Sequence, residues 1–468
     1  MELSNKKALV VGFGRTGFET ARFLKDHGAS VTISELADNN DLGERARQLQ
    51  DMGVHMEFGD HVLETFTRAD LIIVSPGVPH TIPPIRAAKK KGIPLLGEIE
   101  LASCFITEPI IAVTGTNGKT TTTELIGAMM KQSGKKVFVG GNIGTPLVSY
   151  LTRQDKVDCL VVEVSSFQLD TVASFKPSIS VLLNISDDHL DRYPDFAAYA
   201  RAKARLLKYQ TAGDTAVLNG DDPWIRKLSA PCKIRKLFFS GRRKMEPGAD
   251  IGPDTIVCHG PFSYGQIHTQ TDDPPVPGHE NQAEISLKRV PLKCRHEIEN
   301  ISAASLAVLA FGGNVNAVQR AIDGFKGLPH RMERVATQHG IPFYNDSKAT
   351  NVDAVLRAIA CLDAPIHLIM GGRDKGGRFD LLKTAVQQKV KSLILLGEAA
   401  KKIDAALGGC TRTRIVATMQ EAVAAARDTV SAGDVVLLSP ACASFDMYKD
   451  YKERGEAFRK AVCEGMPS

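Results

Sequence analysis

This 468-residue chain is predicted to fold as three α/β domains: a Rossmann-like N-terminal domain, a P-loop ATPase-like central domain and a doubly wound α/β C-terminal domain. Three observations carry that prediction. Short apolar runs alternate with helical patterns in three separate stretches, the grammar of sheets covered by helices. Two stretches open on glycine turns of the kind that receive phosphate, "GFGRTG" and "TGTNGKTT". The length suits about three domains, and 43% hydrophobic with 24% charged residues leaves apolar mass for several cores. Boundaries are expected at 1–97, 98–328 and 329–468.

In the first domain "KALVVGFG" reads as a strand, "GFETARFLKDHG" as a helix, "SVTISE" as a strand and "ADLIIVSPG" as a later strand. Gly12 to Gly17 form a GxGxxG turn after a strand, and Glu35 ends the next strand. Alone, this pairing supports a dinucleotide-binding oxidoreductase that uses NAD. The signal is weak, because any tight strand–helix turn invites glycine.

The central domain opens with "PIIAVTG" and continues through "VDCLVVEVSS", "SISVLLNIS" and "DTAVLNGDD", all buried-strand runs. In "VTGTNGKTT" a strand ends at Thr114 and a helix starts near Gly118. Gly115 and Gly118 permit a tight turn around an anion, with Thr116 and Asn117 between them. Lys119 reaches outer phosphates, the Thr120 hydroxyl suits Mg²⁺, and Thr121 extends the helix start. Val113 stands where the strict P-loop pattern has glycine, so this is a shortened variant. The bland alternative is a threonine-capped glycine turn; the strand–loop–helix context favours ATP. Glu163 ends the next apolar run, where a second magnesium ligand belongs, and flanking buried-type residues make an unpaired charge there costly. The loop "NISDDHLDRY" gathers Asp187, Asp188, His189 and Asp191, either as helix caps or around a cation. Lys203 lies on a helix, where a lysine is most often a solvated face or a phosphate partner. From about Ser240 to Lys293 the chain is rich in Gly, Pro and Asp, which reads as an antiparallel appendage or long hairpins.

The third domain shows "IPFYNDSKAT", "APIHLIMGG", "VKSLILLGE", "TRIVAT" and "DVVLLSP", again strands between helical patterns. Cys442 in "SPACASF" follows a strand, but no paired His is near in sequence, and a buried small thiol is the commoner case.

Composition narrows the class. Lys plus Arg number 58 against 53 Asp plus Glu, a net charge of +5. That is too mild and scattered for nucleic acid and suits anionic small substrates. The nine cysteines are odd in number and contain no CxxC pair. They read as reduced thiols of a cytoplasmic protein, neither a disulfide framework nor a zinc site. Polar Met1–Lys7 runs directly into a strand, which argues against a leader, and no apolar run approaches the ~18 residues of a membrane span.

The motifs "TGTNGKTT", "VVEVSSFQLD", "NISDDHLDRY", "YARAKARL", "GLPHRME", "YNDSKATN", "MGGRDKG" and "LLSPACASFDMYKDYKERGEAF" occur in one order and together resemble the Mur ligases. The last four are most similar to the branch of that family that adds D-glutamate. The resemblance implies an ATP-dependent enzyme that joins D-glutamate to UDP-N-acetylmuramoyl-L-alanine through an acyl phosphate; closure of three domains in one chain needs no partner, which points to a monomer. It implies that Lys119 binds phosphate and that Thr120 and Glu163 hold one magnesium. It also implies that His189 and Lys203, the latter carbamylated by CO₂, hold another. Asn300, Arg331 and Asp346 then contact the nucleotide. Gly14, Arg15, Thr16, the Ser75–Pro76–Gly77 turn and Asn142 receive the UDP-sugar. Lys348, Thr350, Lys375, Ser444 and the Tyr451 ring hold D-glutamate, and a hinge falls near Lys326 to Glu333. This sequence departs from the family pattern at His296-Glu297, where His-Asn is common. It departs again at Tyr451, where Phe is common, and at Glu35-Leu36, where some relatives have Thr-Arg.

Overall fold

The computed structural model describes every residue except 38–42, 154, 190–191, 261, 263–281, 291–293 and 465–468. Asp191 and nearly all of "TDDPPVPGHENQ" therefore lie outside the described residues. Backbone contacts gather the chain into two units. One comprises Met1–Ile185, Ala197–Arg289 and Glu299–Asp323; the other comprises Ser186–Phe196, Val290–Ile298 and Gly324–Ser468.

The first unit holds two sheets. Strands β1 (Lys7–Val11), β2 (Ser30–Glu35), β3 (His55–Phe58), β4 (Leu71–Val74) and β5 (Leu95–Gly97) pair in parallel in the order β3-β2-β1-β4-β5. The second sheet contains β6 (Ile110–Thr114), β7 (Val137–Gly141), β8 (Cys159–Glu163), β9 (Ile179–Leu182) and β10 (Thr215–Asn219). It continues through β11 (Arg235–Ser240), β12 (Gly248–Ile251), β13 (Thr255–His259) and β14 (Gln282–Ser286), in the order β14-β13-β12-β11-β10-β9-β6-β8-β7. Every residue of β6, β8 and β10 is buried, as strands covered on both faces require. The described strands of the stretch expected as an antiparallel appendage or long hairpins pair antiparallel in part, but they extend this sheet and do not stand apart from it. β12 pairs in parallel with β11, and only β13 runs against the rest, antiparallel to both β12 and β14. Ile256, Cys258, Ala283 and Ile285 are buried at alternate positions, which gives these short strands one core face despite their loop-like composition.

A buried carboxylate joins the first sheet's end to the second sheet's surroundings. Glu98 is 1% exposed, and its Oε1 accepts the Val148 N–H at 2.6 Å. Burial pushes its carboxyl up to about 7, against the backbone donors of Val148 and Leu147.

The second unit is built on β15 (Glu333–Gln338), β16 (Ile341–Asn345), β17 (Ile366–Gly371), β18 (Val390–Leu396), β19 (Arg412–Ile415) and β20 (Val435–Leu438). Their order is β15-β16-β20-β17-β18-β19, antiparallel only between β15 and β16. Leu368, Leu393 and Leu437 face one core, and Ile369, Ile394 and Leu438 the other. The loops after β16, β20 and β17 therefore leave neighbouring strands at their carboxyl ends, where α/β sheets place their ligand sites. The expectation of nine reduced thiols is corrected at one pair. Cys294 and Cys361 are disulfide-bonded, with Cα atoms 4.8 Å apart and a sequence separation of 67. Only the fold brings them together, and no spacing motif marks either one. Among the described residues no helix is long and apolar enough to cross a membrane.

Candidate active site

The phosphate turn is shaped by backbone constraint. Gly118 caps the helix Lys119–Gln132 at φ +86°, a left-handed conformation that favours glycine. The Asn300 side chain packs so closely on Gly118 that a Cβ has no room. Asn184, after β9, clamps the turn from below. Its Oδ1 accepts the Asn117 N–H at 2.8 Å, its Nδ2 donates to the Asn117 carbonyl at 3.0 Å, and its own carbonyl accepts the Thr116 N–H at 2.9 Å. The Thr116 hydroxyl meets the Tyr199 hydroxyl at 3.1 Å.

Two ammonium groups converge on this turn. Lys119 Nζ donates to the Gly115 carbonyl at 2.9 Å and the Thr116 carbonyl at 2.8 Å. Lys203 Nζ donates to the same Gly115 carbonyl at 2.8 Å and lies 4.7 Å from the centre of the Tyr199 ring. Lys203 is only 2% exposed, so the solvated face expected of a plain helical lysine is not what the fold provides. Like charges gathered at a helix N-terminus favour an anion there. Thr121 follows in the first turn of that helix.

Glu163 ends β8 beside the turn and is 2% exposed. Its Oε2 accepts the Thr120 hydroxyl and its Oε1 accepts Asn142 Nδ2, both at 2.8 Å. A buried carboxylate touching a hydroxyl is a hard-oxygen donor pair of the kind Mg²⁺ takes, so these residues fit the ion.

At the first sheet, Gly12 adopts φ +93°, and the Ser75 hydroxyl donates to its carbonyl at 3.2 Å. Gly14 caps the helix Arg15–Asp26, with Thr16 in its first turn. The Val78 N–H closes the turn through Pro76 and Gly77 onto the Ser75 carbonyl at 3.0 Å. Glu35 spends its carboxylate on the backbone, accepting the Phe13 N–H at 2.6 Å and the Ala37 N–H at 3.1 Å. It thereby braces the glycine turn, a different use from the ribose-binding acid of the oxidoreductase alternative. Arg15 reaches the loop that carries Asn142, donating to the Gly144 carbonyl at 2.7 Å.

In the second unit a cavity of about 310 Å³ is lined by His189, Thr350 and Lys375 together with Asp187, Asp188 and Arg378. Phe196, Val352, Leu356 and Leu381 supply its apolar wall. His189 sits at φ +56° with Nε2 3.6 Å from Asp188 Oδ2, and Asn351 Nδ2 donates to that same oxygen at 3.1 Å. The ammonium of Lys348 lies 3.9 Å from the centre of the Tyr451 ring. Asp346 accepts the Met332 N–H at 3.3 Å and the Ser439 hydroxyl at 3.1 Å. Burial pushes its carboxyl up to about 7, although those bonds and the Arg331 charge pull it down. Ser444 is 2% exposed. The Cys442 thiol is pushed up to about 12 by burial, which fits a packing thiol and not a nucleophile.

Thus Lys119, Thr120, Glu163, Asn142, Lys203 and Asn300 are placed in the first unit, and His189, Arg331, Asp346, Lys348, Thr350, Lys375, Ser444 and Tyr451 in the second. Among the described residues no group of three or more His, Cys, Asp or Glu side chains is poised to hold a metal. Sequence pattern does not single out Asn184 or Arg454. The signal for the first was an amide at the end of the buried run "VLLN", and for the second a cation at the start of the last helix.

Comparison with known proteins completes the picture. Residues 6–97 match the MurD-like N-terminal domain of Mur ligases, 113–308 the Mur ligase middle domain and 330–442 the Mur ligase glutamate ligase domain. A UDP-N-acetylmuramoylalanine--D-glutamate ligase of Desulfatibacillum aliphaticivorans is 49% identical over 99% of both chains. One from Desulfosudis oleivorans is 46% identical over 99% of this chain and 97% of that relative. The fold is similar to a pseudomurein peptide ligase type C from Methanothermus fervidus, with a TM-score of 0.60 at 19% identity, covering 98% of this chain and 100% of the other.

Proposed function

Because this chain belongs to the Mur ligase family, we propose that it joins D-glutamate to UDP-N-acetylmuramoyl-L-alanine at the expense of ATP, in peptidoglycan precursor synthesis. The full-length likeness to the Desulfatibacillum relative of that name, 49% identical with 99% of each chain covered, carries the reading. In this scheme residues 1–97 take the UDP-substrate, 98–328 take ATP and 329–468 take the amino acid. The enzyme works as a monomer in the cytoplasm.

The substrate carboxylate attacks the γ-phosphorus of ATP. The bond to the β-phosphate oxygen breaks, and ADP leaves. Two anions must meet, so the barrier is chiefly electrostatic. Lys119 neutralises the outer phosphates. The Gly118 turn and the helix behind it hold the phosphates in line, and Asn184 keeps that turn in shape. Thr120 and Glu163 would hold one magnesium ion, and His189 and a CO₂-carbamylated Lys203 another, and the chemistry such ions would supply is to offset charge between the reacting anions. Carbamylation suits Lys203, since it converts a buried cation into an anion able to face a metal. Asn300, Arg331 and Asp346 orient the nucleotide, while Gly14, Arg15, Thr16, Ser75, Pro76, Gly77 and Asn142 orient the UDP-sugar. The D-glutamate nitrogen, as the free amine after loss of its ammonium proton, then attacks the acyl carbon, and the proton shed on amide formation leaves with the phosphate. A tetrahedral intermediate collapses to the amide, and inorganic phosphate carries off the transferred oxygen. Lys348, Lys375 and the Ser444 hydroxyl pair with the two carboxylates of the amino acid, with Thr350 and the Tyr451 ring bounding it.

The test is phosphate release from ATP with UDP-N-acetylmuramoyl-L-alanine and, in turn, D-glutamate, L-glutamate, L-alanine or diaminopimelate. Release with D-glutamate alone is expected. Equal release with any other amino acid, or none with D-glutamate, overturns the assignment.

A further inference from the structure

We propose that Arg454 is the positioning residue of the amino-acid site, locking together the three loops that carry Lys348, Lys375 and Ser444. The inference rests on reading those three residues as the grip on the amino acid. Arg454 lies in the first turn of the helix Tyr451–Cys463 and is 3% exposed. Both facts count against a cation. Burial strips its hydration, and the positive end of the helix dipole opposes it. Among the described residues no carboxylate forms an ion pair with it. Its partners are neutral oxygens. Nε donates to Ser347 Oγ at 3.0 Å and Nη2 to the Ser347 carbonyl at 2.8 Å. Nη1 faces the carbonyls of Cys442 at 3.1 Å, Ala443 at 3.3 Å and Gly371 at 3.4 Å.

Those acceptors come from three loops at the carboxyl ends of the neighbouring strands β16, β20 and β17. Ser347 immediately precedes Lys348, Ala443 immediately precedes Ser444, and Gly371 ends β17 just before the loop to Lys375. Two of the loops are also tied directly, since Arg373 and Ala443 exchange N–H···O bonds of 2.9 and 3.0 Å. The loops are crowded as well. A Cβ on Gly372 has no room beside the Ala443 carbonyl and approaches Arg454 Nη1 to 3.1 Å. Only a planar fork of five donors can bond in these several directions at once; an ammonium offers three donors from one point. The same helix turn also serves the grip directly. The Tyr451 carbonyl accepts the Ser347 hydroxyl at 2.8 Å, and the Tyr451 ring lies against Lys348. Arg454 thus fixes the spacing of three substrate-facing groups without facing substrate. Its buried charge, paired with no acid, adds positive potential beneath a site for a dianion.

The experiment compares Arg454→Lys and Arg454→Met with wild type by KM for each of the three substrates, kcat and melting temperature. Losing a charged, multidirectional hydrogen-bond hub is expected to raise the KM for D-glutamate at least about tenfold in Arg454→Lys. KM for the UDP-substrate should stay within about twofold, because its groups do not hang on these loops. KM for ATP should rise several-fold less than that for D-glutamate, because of the proposed nucleotide contacts only Asp346 adjoins Ser347, and Asp346 is also held by the Met332 N–H. Arg454→Met should be worse in the same direction; if it does not fold, Arg454→Lys alone decides. An unchanged KM for the amino acid overturns the proposal. So does a parallel rise in all three KM values with a fall in kcat, the mark of a merely structural role. If wild type accepts a different amino acid, the D-glutamate reading falls, and the same KM ratio measured with that acceptor decides Arg454.

Discussion

The phosphate turn and the amino-acid loops solve the same problem, holding an anion, in opposite ways. The turn is local. Gly115 to Thr120 are consecutive, and one glycine at φ +86° with one helix start creates most of the site. The amino-acid grip is distributed. Lys348, Lys375, Ser444 and Tyr451 come from four places spread over about a hundred residues, and an arginine that never faces the substrate aligns the loops between them. A local site tolerates little change within itself but depends weakly on remote residues. A distributed site should show the reverse, with selective damage from a residue outside it.

The sharpest contrast comes from removing one cation on each side. Lys119→Ala should lower kcat by roughly 10²–10³, the usual cost of losing a preorganised charge at a developing anion. Melting temperature should move little, because Lys119 donates to the Gly115 and Thr116 carbonyls of its own turn, acceptors that water can serve in its place. Full activity in this variant, read by coupled phosphate release, would remove the turn from the chemistry. On the other side, Lys348→Met should raise the KM for D-glutamate about 10- to 100-fold, equivalent to one charged hydrogen bond of about 1.5–3 kcal/mol, and leave the KM for ATP nearly alone. Kinetics in which ATP suffers equally would erase the distinction between the two sites.

A subtler break is Asn184→Ala. It removes two side-chain hydrogen bonds beneath the turn, each of about 1 kcal/mol net, and should raise the KM for ATP roughly 5- to 10-fold. An effect on D-glutamate alone would contradict the placement of Asn184.

The smallest effect on catalysis is expected at Glu98, which belongs to neither site. Its carboxyl sits at about 7 in the folded chain, above its ordinary value of 4.5. The fold therefore binds that proton more tightly than the unfolded chain does. Stability from this group is complete below about pH 4.5 and lost as pH rises through about 7. Glu98→Gln keeps an acceptor for the Val148 N–H and does not titrate. Relative to wild type it should gain roughly 1–3 kcal/mol between pH 5 and pH 8. Denaturant melts at the two pH values check this, and a constant difference would show that Glu98 does not titrate in this range.

The same contrast explains what was legible in the sequence. Gly12–Gly17, Gly115–Thr120 and the buried runs of β6, β8 and β10 are local patterns, so periodicity and turn chemistry reveal them. Glu163 was visible as an acid closing an apolar run. The burial of Lys203 was not, because helical spacing does not say which face Tyr199 and the Gly115 carbonyl will cover. The β11–β12 pairing was hidden because a composition of Gly, Pro and Asp hides short strands whose pairing is set by their neighbours. Asn184, Arg454 and the Cys294–Cys361 pair derive their meaning from residues far away in the chain, and no window of sequence contains them. The family resemblance supplied Lys348, Lys375 and Ser444, and the structure supplies the residue that holds their loops together.

The account's central claim is that a substrate carboxylate oxygen passes to phosphorus before the amine arrives. UDP-N-acetylmuramoyl-L-alanine labelled with ¹⁸O in its alanine carboxylate tests this most directly. Mass analysis of the phosphate released during turnover with ATP and D-glutamate should find one labelled oxygen per phosphate. Phosphate that carries no label, alongside normal formation of the amide, would contradict the acyl-phosphate route.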